Sequence, residues 1–120
     1  MTCIQSLLRP ICSEIEGQLK PALADFFKGM IVRGYLPQTW IFETESESTT
    51  LTVDTAGNAS VMSGASQFRD VTIRWHHDLL RSVLQTRNRL SVPLGQAPQV
   101  VCHTQKGQTA FNFLRQRLGL

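Results

Sequence analysis

The chain has 120 residues, 42% of them hydrophobic and 18% charged, which is ordinary globular composition for one domain and excludes disordered and fibrous classes. It has no apolar run near the roughly 18–20 residues that a bilayer span needs, and Met1–Pro10 lacks the basic start and long apolar centre of a signal peptide. Cys3, Cys12 and Cys102 have no motif spacing and read as free thiols, so a cytoplasmic location is expected.

The net charge of +3 is unevenly spread: residues 1–60 sum to −3 and residues 61–120 to +6. A basic second half permits an anionic partner such as a phosphate-bearing ligand, an acidic membrane surface or nucleic acid, and is equally what a solvated basic face would give.

Apolar residues recur at three- and four-residue steps from Ile4 through Leu8, Ile11, Ile15, Leu19, Leu23 and Phe26 to Met30. Pro10 and Pro21 interrupt that stripe, and each lacks an N–H. The pattern predicts one helix ending near Gln18 or Lys20 and a second from Pro21 to about Met30, then a connector through Arg33-Gly34-Tyr35-Leu36-Pro37.

From Gln38 the period becomes two. Trp40 and Phe42 alternate with Ile41 and Glu43; after the polar turn Glu45–Ser48, Leu51 and Val53 alternate with Thr50 and Thr52. Asp54–Asn58 reads as a turn, Ala59–Ser63 as a short strand with Val61 inward, and Val71, Ile73 and Trp75 as one face of a fourth strand. These strands are expected to form an antiparallel meander.

At Asp78 the spacing switches to Leu79, Leu80, Val83 and Leu84, a helix stripe running to about Arg87. A last strand is predicted over Gln99–Thr104, with Val100 and Cys102 opposite Val101 and His103, and a last helix over Thr109–Leu118. Helices around one mostly antiparallel five-stranded sheet make an α+β domain.

Taken in order, residues 40–84 resemble the sterol carrier protein type 2 family. The resemblance rests on Trp40-Ile41-Phe42, Leu51-Thr52-Val53-Asp54 with Gly57, Val61 with Gly64, Asp70-Val71-Thr72-Ile73, and Asp78-Leu79-Leu80. It implies helices covering one face of the sheet, an apolar tunnel between the layers, and binding of sterols, fatty acids, acyl-CoA or other lipids, alone or as an accessory domain. The segment Asn88–Pro98 departs from the family pattern, having neither its Phe nor its Gly-Lys pair; Gly107 resembles the family's glycine before the last helix.

The residues expected to face the space between sheet and helices are Trp40, Phe42, Leu51, Val53, Ile73, Trp75, Leu80, Leu84, Phe111 and Leu114. They would line a ligand cavity or fill a plain core. His76-His77-Asp78 is the most polar cluster, but adjacent histidines point apart and make a poor metal pair, so capping and surface roles are expected. Cys102 and His103 lie on opposite strand faces and cannot act on one another. There is no Gly-x-Ser-x-Gly elbow, phosphate loop or metal-spaced set, and no cofactor is expected.

Arg81, Arg87, Arg89, Lys106, Arg115 and Arg117 come with few exposed aromatics to stack bases, so no nucleic acid is expected. Arg115 and Arg117 beside Phe111, Phe113 and Leu114 are compatible with interfacial docking of the last helix, with an ordinary packing helix as the favoured alternative. The leading expectation is non-catalytic binding and release of a lipid or other apolar molecule, with transient membrane contact through that helix. The alternative is an interaction or accessory module with a filled core that forms a homodimer or docks on an enzyme; a third is an enzyme centred on His76 and His77.

Overall fold

The structure, a computed structural model, describes residues 3–87 and 96–115. Its first element is a long helix, α1 (Ile4–Ala24), which continues through both prolines. A proline inside a helix costs about 3 kcal/mol. Burial of Ile4, Leu8, Ile11, Cys12 and Ile15 against the sheet offsets that, so the expected break at Pro21 is absent. The break comes at Asp25, whose backbone is extended (φ −77°, ψ 134°) and whose carboxylate accepts the Lys28 N–H at 2.9 Å. That cap starts α2 (Phe26–Arg33). Gly29 lets α2 cross closely over the end of α1, since a Cβ there would lie 2.7 Å from the Leu23 carbonyl oxygen.

The strands are β1 (Gln38–Glu43), β2 (Ser48–Val53), β3 (Ala59–Ser63), β4 (Val71–Arg74) and β5 (Gln99–Cys102), in the spatial order β3-β2-β1-β4-β5. The first three form the expected antiparallel meander. β4 does not extend it: it crosses to the far side of β1 and pairs parallel to it, Trp40 opposite Val71 and Phe42 opposite Ile73. A two-residue turn cannot make a parallel pair, and residues 64–70 supply the crossover. Thr50 Oγ1 donates to the Gly64 carbonyl at 2.7 Å and accepts from the Ser66 N–H, so the start of this crossover is tied to β2.

Register places one row of apolar side chains across all five strands: Val61, Leu51, Trp40, Val71 and Cys102. On this face they meet α1, α3 (His77–Thr86) and α4 (Gln105–Leu114). The opposite row is Met62, Thr50, Ile41, Thr72 and Val101. Ile41, fully buried, belongs to this outer face and stands apart from the helix-covered core.

α4 begins four residues before the expected Thr109. Thr104 caps it by accepting the Gly107 N–H at 3.0 Å. Gly107 is needed there because a Cβ would lie 2.6 Å from the Asp70 carbonyl oxygen. Asp70 itself is wholly buried and accepts from the Thr39 N–H at 2.8 Å and the Thr104 hydroxyl at 2.6 Å, joining β1, β4 and the start of α4. Residues 88–95, most of the segment that departs from the family pattern, and Arg117 and Leu118 lie outside the described residues.

Candidate functional site between sheet and helices

Nine of the ten candidate side chains fall in one buried cluster: Trp40, Phe42, Leu51, Val53, Ile73, Trp75, Leu80, Leu84 and Phe111. Leu114 packs on its margin. The alternation of β1, β2 and β4 and the stripe of α3 bring them together as the periodicity requires. Trp40 sits at the centre, its ring 6.5 Å from Phe42 and 5.9 Å from Phe111 between centroids. Its indole N–H donates to Gln38 Oε1 at 2.9 Å, and Gln38 in turn donates to the carbonyls of Tyr35 and Lys106. Trp75 donates its indole N–H to the Gln96 carbonyl.

The interior has a wall absent from the ten candidates. Ile4, Leu8, Ile11, Cys12 and Ile15 of α1 close it from one side and Val83 of α3 from another. The stripe in α1 is visible in sequence as helical core; that it lies over β2 and β3 depends on the 43-residue separation bridged by Glu47.

The polar turn between β1 and β2 has a role that its composition conceals. Glu47 Oε1 accepts the Ile4 N–H at 2.8 Å, and Glu45 accepts the His77 N–H at 3.1 and 3.0 Å through its two oxygens. Two carboxylates in one turn thus cap the N-termini of α1 and α3, where unpaired N–H groups and the helix dipole favour negative charge. The backbone N–H of Glu45 itself, followed by that of His77, holds the Glu45 carboxyl below the usual carboxylate range. Asp78 contributes charge to the first turn of α3, paired with Arg81 at 3.5 Å, but the cap comes from Glu45.

His77 differs from expectation in being buried, 7% exposed, rather than on the surface. Its Nδ1 lies 3.5 Å from Thr44 Oγ1 and its Nε2 has no partner. His76 remains exposed at the N-cap position. Among the described residues no three His, Cys, Asp or Glu side chains are grouped to hold a metal. Burial pushes the Cys12 and Cys102 thiols up, while the Ser6 hydroxyl at 3.1 Å pulls Cys3 down. Of the basic residues considered for nucleic acid, Arg87 pairs with Glu14 at 2.7 Å and Lys106 donates to the Pro37 carbonyl at 2.6 Å, while Arg89 and Arg117 lie outside the described residues.

Among the described residues, four large exposed apolar side chains gather on α2. Phe26, Phe27, Met30 and Ile31 are 74%, 75%, 62% and 66% exposed, and only Gly29 of this helix is buried. In α4, Phe111 turns inward onto Trp40 while Phe113 is exposed. In sequence, Phe26-Phe27-x-x-Met30-Ile31 continues the apolar stripe of the preceding helix and does not show that it faces outward. No described helix is long and apolar enough to cross a membrane.

No family profile and no curated protein sequence matches the chain. Among solved structures it is similar to the sec-alkylsulfatase Pisa1 from Pseudomonas sp., at 19% identity and a TM-score of 0.45 over 66% of this chain. A double mutant of that sulfatase gives 17% identity and 0.45 over 65%. The chain spans 13% of the length of either sulfatase. It is also similar to the UbiJ-SCP2 ubiquinone synthesis protein, at 17% identity and a TM-score of 0.44, over 91% of this chain and 90% of that one.

Proposed function

We propose that this domain handles lipid at a membrane surface by binding and release, without bond chemistry. The observation that carries the reading is α2. Leaving a large apolar side chain in water forfeits roughly 1.5–3 kcal/mol relative to burial. Four such side chains on an eight-residue helix therefore favour an apolar occupant. Lys20, Lys28 and Arg33 flank them, all exposed, and the nearby Asp25 carboxylate is engaged as the α2 cap. Apolar side chains amid cations match an anionic bilayer surface.

In this reading the apolar ligand lodges between sheet and helices, against Trp40, Phe42, Leu51, Val53, Ile73, Trp75, Leu80, Leu84, Phe111 and Leu114. Those side chains form one packed cluster, so in this reading part of the helix layer lifts to admit the ligand. α4 is the element suited to that, since only Gly107 and Phe111 of its residues are buried.

Sedimentation with phosphatidylcholine/phosphatidylglycerol vesicles, together with native mass spectrometry of the purified chain, tests the proposal. Vesicle binding that rises with the phosphatidylglycerol fraction and a co-purifying lipid mass are expected. A clean apo mass with no vesicle binding would overturn it. A second reading, an accessory module whose α2 is covered by another copy of the chain, rests on the same exposed apolar side chains. Light scattering that finds a dimer, with α2 protected from hydrogen exchange in the absence of lipid, would support that reading instead.

A further inference from the structure

The outer face of the sheet carries an open depression of about 140 Å³ on the side away from the helices, lined by Arg69, Thr72, Arg74, Gln99, Val101 and His103. Strand alternation builds it: Thr72 lies opposite Val101 and Arg74 opposite Gln99, and His103 follows β5 on the same face. Arg69 reaches in from the end of the crossover.

The two arginines are held differently. Arg74 is neutralised by Glu43, with its Nε and Nη2 2.7 and 2.6 Å from Glu43 Oε2. Arg69 makes no ion pair among the described residues. Its Nη2 donates to the Ser66 carbonyl at 2.9 Å and its Nη1 lies 3.5 Å from Thr72 Oγ1, both neutral acceptors. The adjoining Asp70 carboxylate is directed to Thr39 and Thr104 instead. Arg69 is thus a part-buried guanidinium held by neutral acceptors, with no counter-charge among the described residues. Across the depression, His103 Nε2 is 2.9 Å from Thr72 Oγ1, which ties the imidazole to the same hydroxyl that Arg69 approaches.

We infer that this depression is an oxyanion site that takes a phosphate group, with the Arg69 guanidinium as its principal charge and Thr72, His103 and Gln99 as polar partners. Arginine forks bind phosphate through charge-assisted hydrogen bonds. The depression has room for a phosphate group. The phosphate could be free in solution or the headgroup of a lipid. The site lies on the opposite side of the sheet from the apolar interior, and its assignment does not depend on the lipid reading.

The test is NMR of the full chain at fixed ionic strength in chloride, following the Arg69 Nε–H and His103 ring signals. Inorganic phosphate should give saturable shifts, and Arg69→Gln should weaken binding about tenfold, as expected for losing one charge-assisted contact. Arg9→Gln, an exposed position on α1, should leave binding unchanged. Titration with dihexanoyl phosphatidic acid separates the sources: tighter saturation than by phosphate assigns a lipid headgroup, and equal affinity assigns the free ion. Shifts that climb without saturating would overturn the site. So would wild-type affinity in His103→Gln, the variant that decides the matter if Arg69→Gln does not fold.

Discussion

The two ends of α1 are finished in opposite ways. At its start, the Glu47 carboxylate accepts the Ile4 N–H, and two residues away Glu45 does the same for α3, so one turn fastens two helices to the sheet. At its finish, α1 gives way to a helix held mainly by a capping aspartate and a close glycine contact, with four large apolar side chains in solvent. Polar turn composition at one end conceals a structural joint; core-like composition at the other conceals an open surface. Stability is concentrated at the first end and the middle, which frees the second for contact with something else.

The contrast can be broken most severely from the interior. Phe42→Ala removes a wholly buried ring beneath the helix layer and should cost about 3–5 kcal/mol, read as a lower urea midpoint. Asp70→Ala should cost about 1–3 kcal/mol or more, because it strands the Thr39 N–H and the Thr104 hydroxyl; faster hydrogen exchange in α4 would accompany it. Glu47→Gln weakens the joint at the start of α1 and should cost about 1 kcal/mol by thermal melting.

Acid sharpens the comparison further. Since folding lowers the Glu45 carboxyl below its ordinary value, its contribution is fully present above the unfolded value of about 4.3 and fades as pH falls through the lower folded value. Glu45→Gln should therefore narrow the stability gap between pH 6 and pH 3, with little change in the α2 signals. The smallest effect on stability belongs to the other end. Phe27→Glu with Ile31→Glu should move it by no more than about 0.5 kcal/mol while abolishing vesicle sedimentation. A large loss of stability in that double variant would place α2 in the core and remove the contrast.

These differences follow what periodicity can and cannot encode. Alternation at Trp40/Phe42, Leu51/Val53 and Val71/Ile73 and the Leu80–Leu84 stripe are local signals, and they assemble the inner face as expected. The direction of β4 is not local: Asp70-Val71-Thr72-Ile73 alternates identically in a parallel or an antiparallel pair, and the parallel choice depends on a crossover whose ties are to Thr50. The helix break at Asp25 was available as an Asp ahead of Phe26, yet two prolines gave the stronger apparent signal and packing on the sheet overrode them. The outward turn of Phe26, Phe27, Met30 and Ile31 had no sequence marker, since an apolar stripe reads the same whether or not a partner covers it.

Asp70 also bears on the order in which the chain reaches its final form. Its carboxylate is satisfied by a group 31 residues earlier and another 34 residues later. Neither bond can form in a short nascent segment, and each closes a loop whose entropy must be met before the contact gives anything back. Thr104 meets its acceptor only when the 34-residue separation between them has closed, so the seating of α4 is tied to a long-range closure. The helix seated by that closure is the one whose lifting the proposed uptake of ligand invokes.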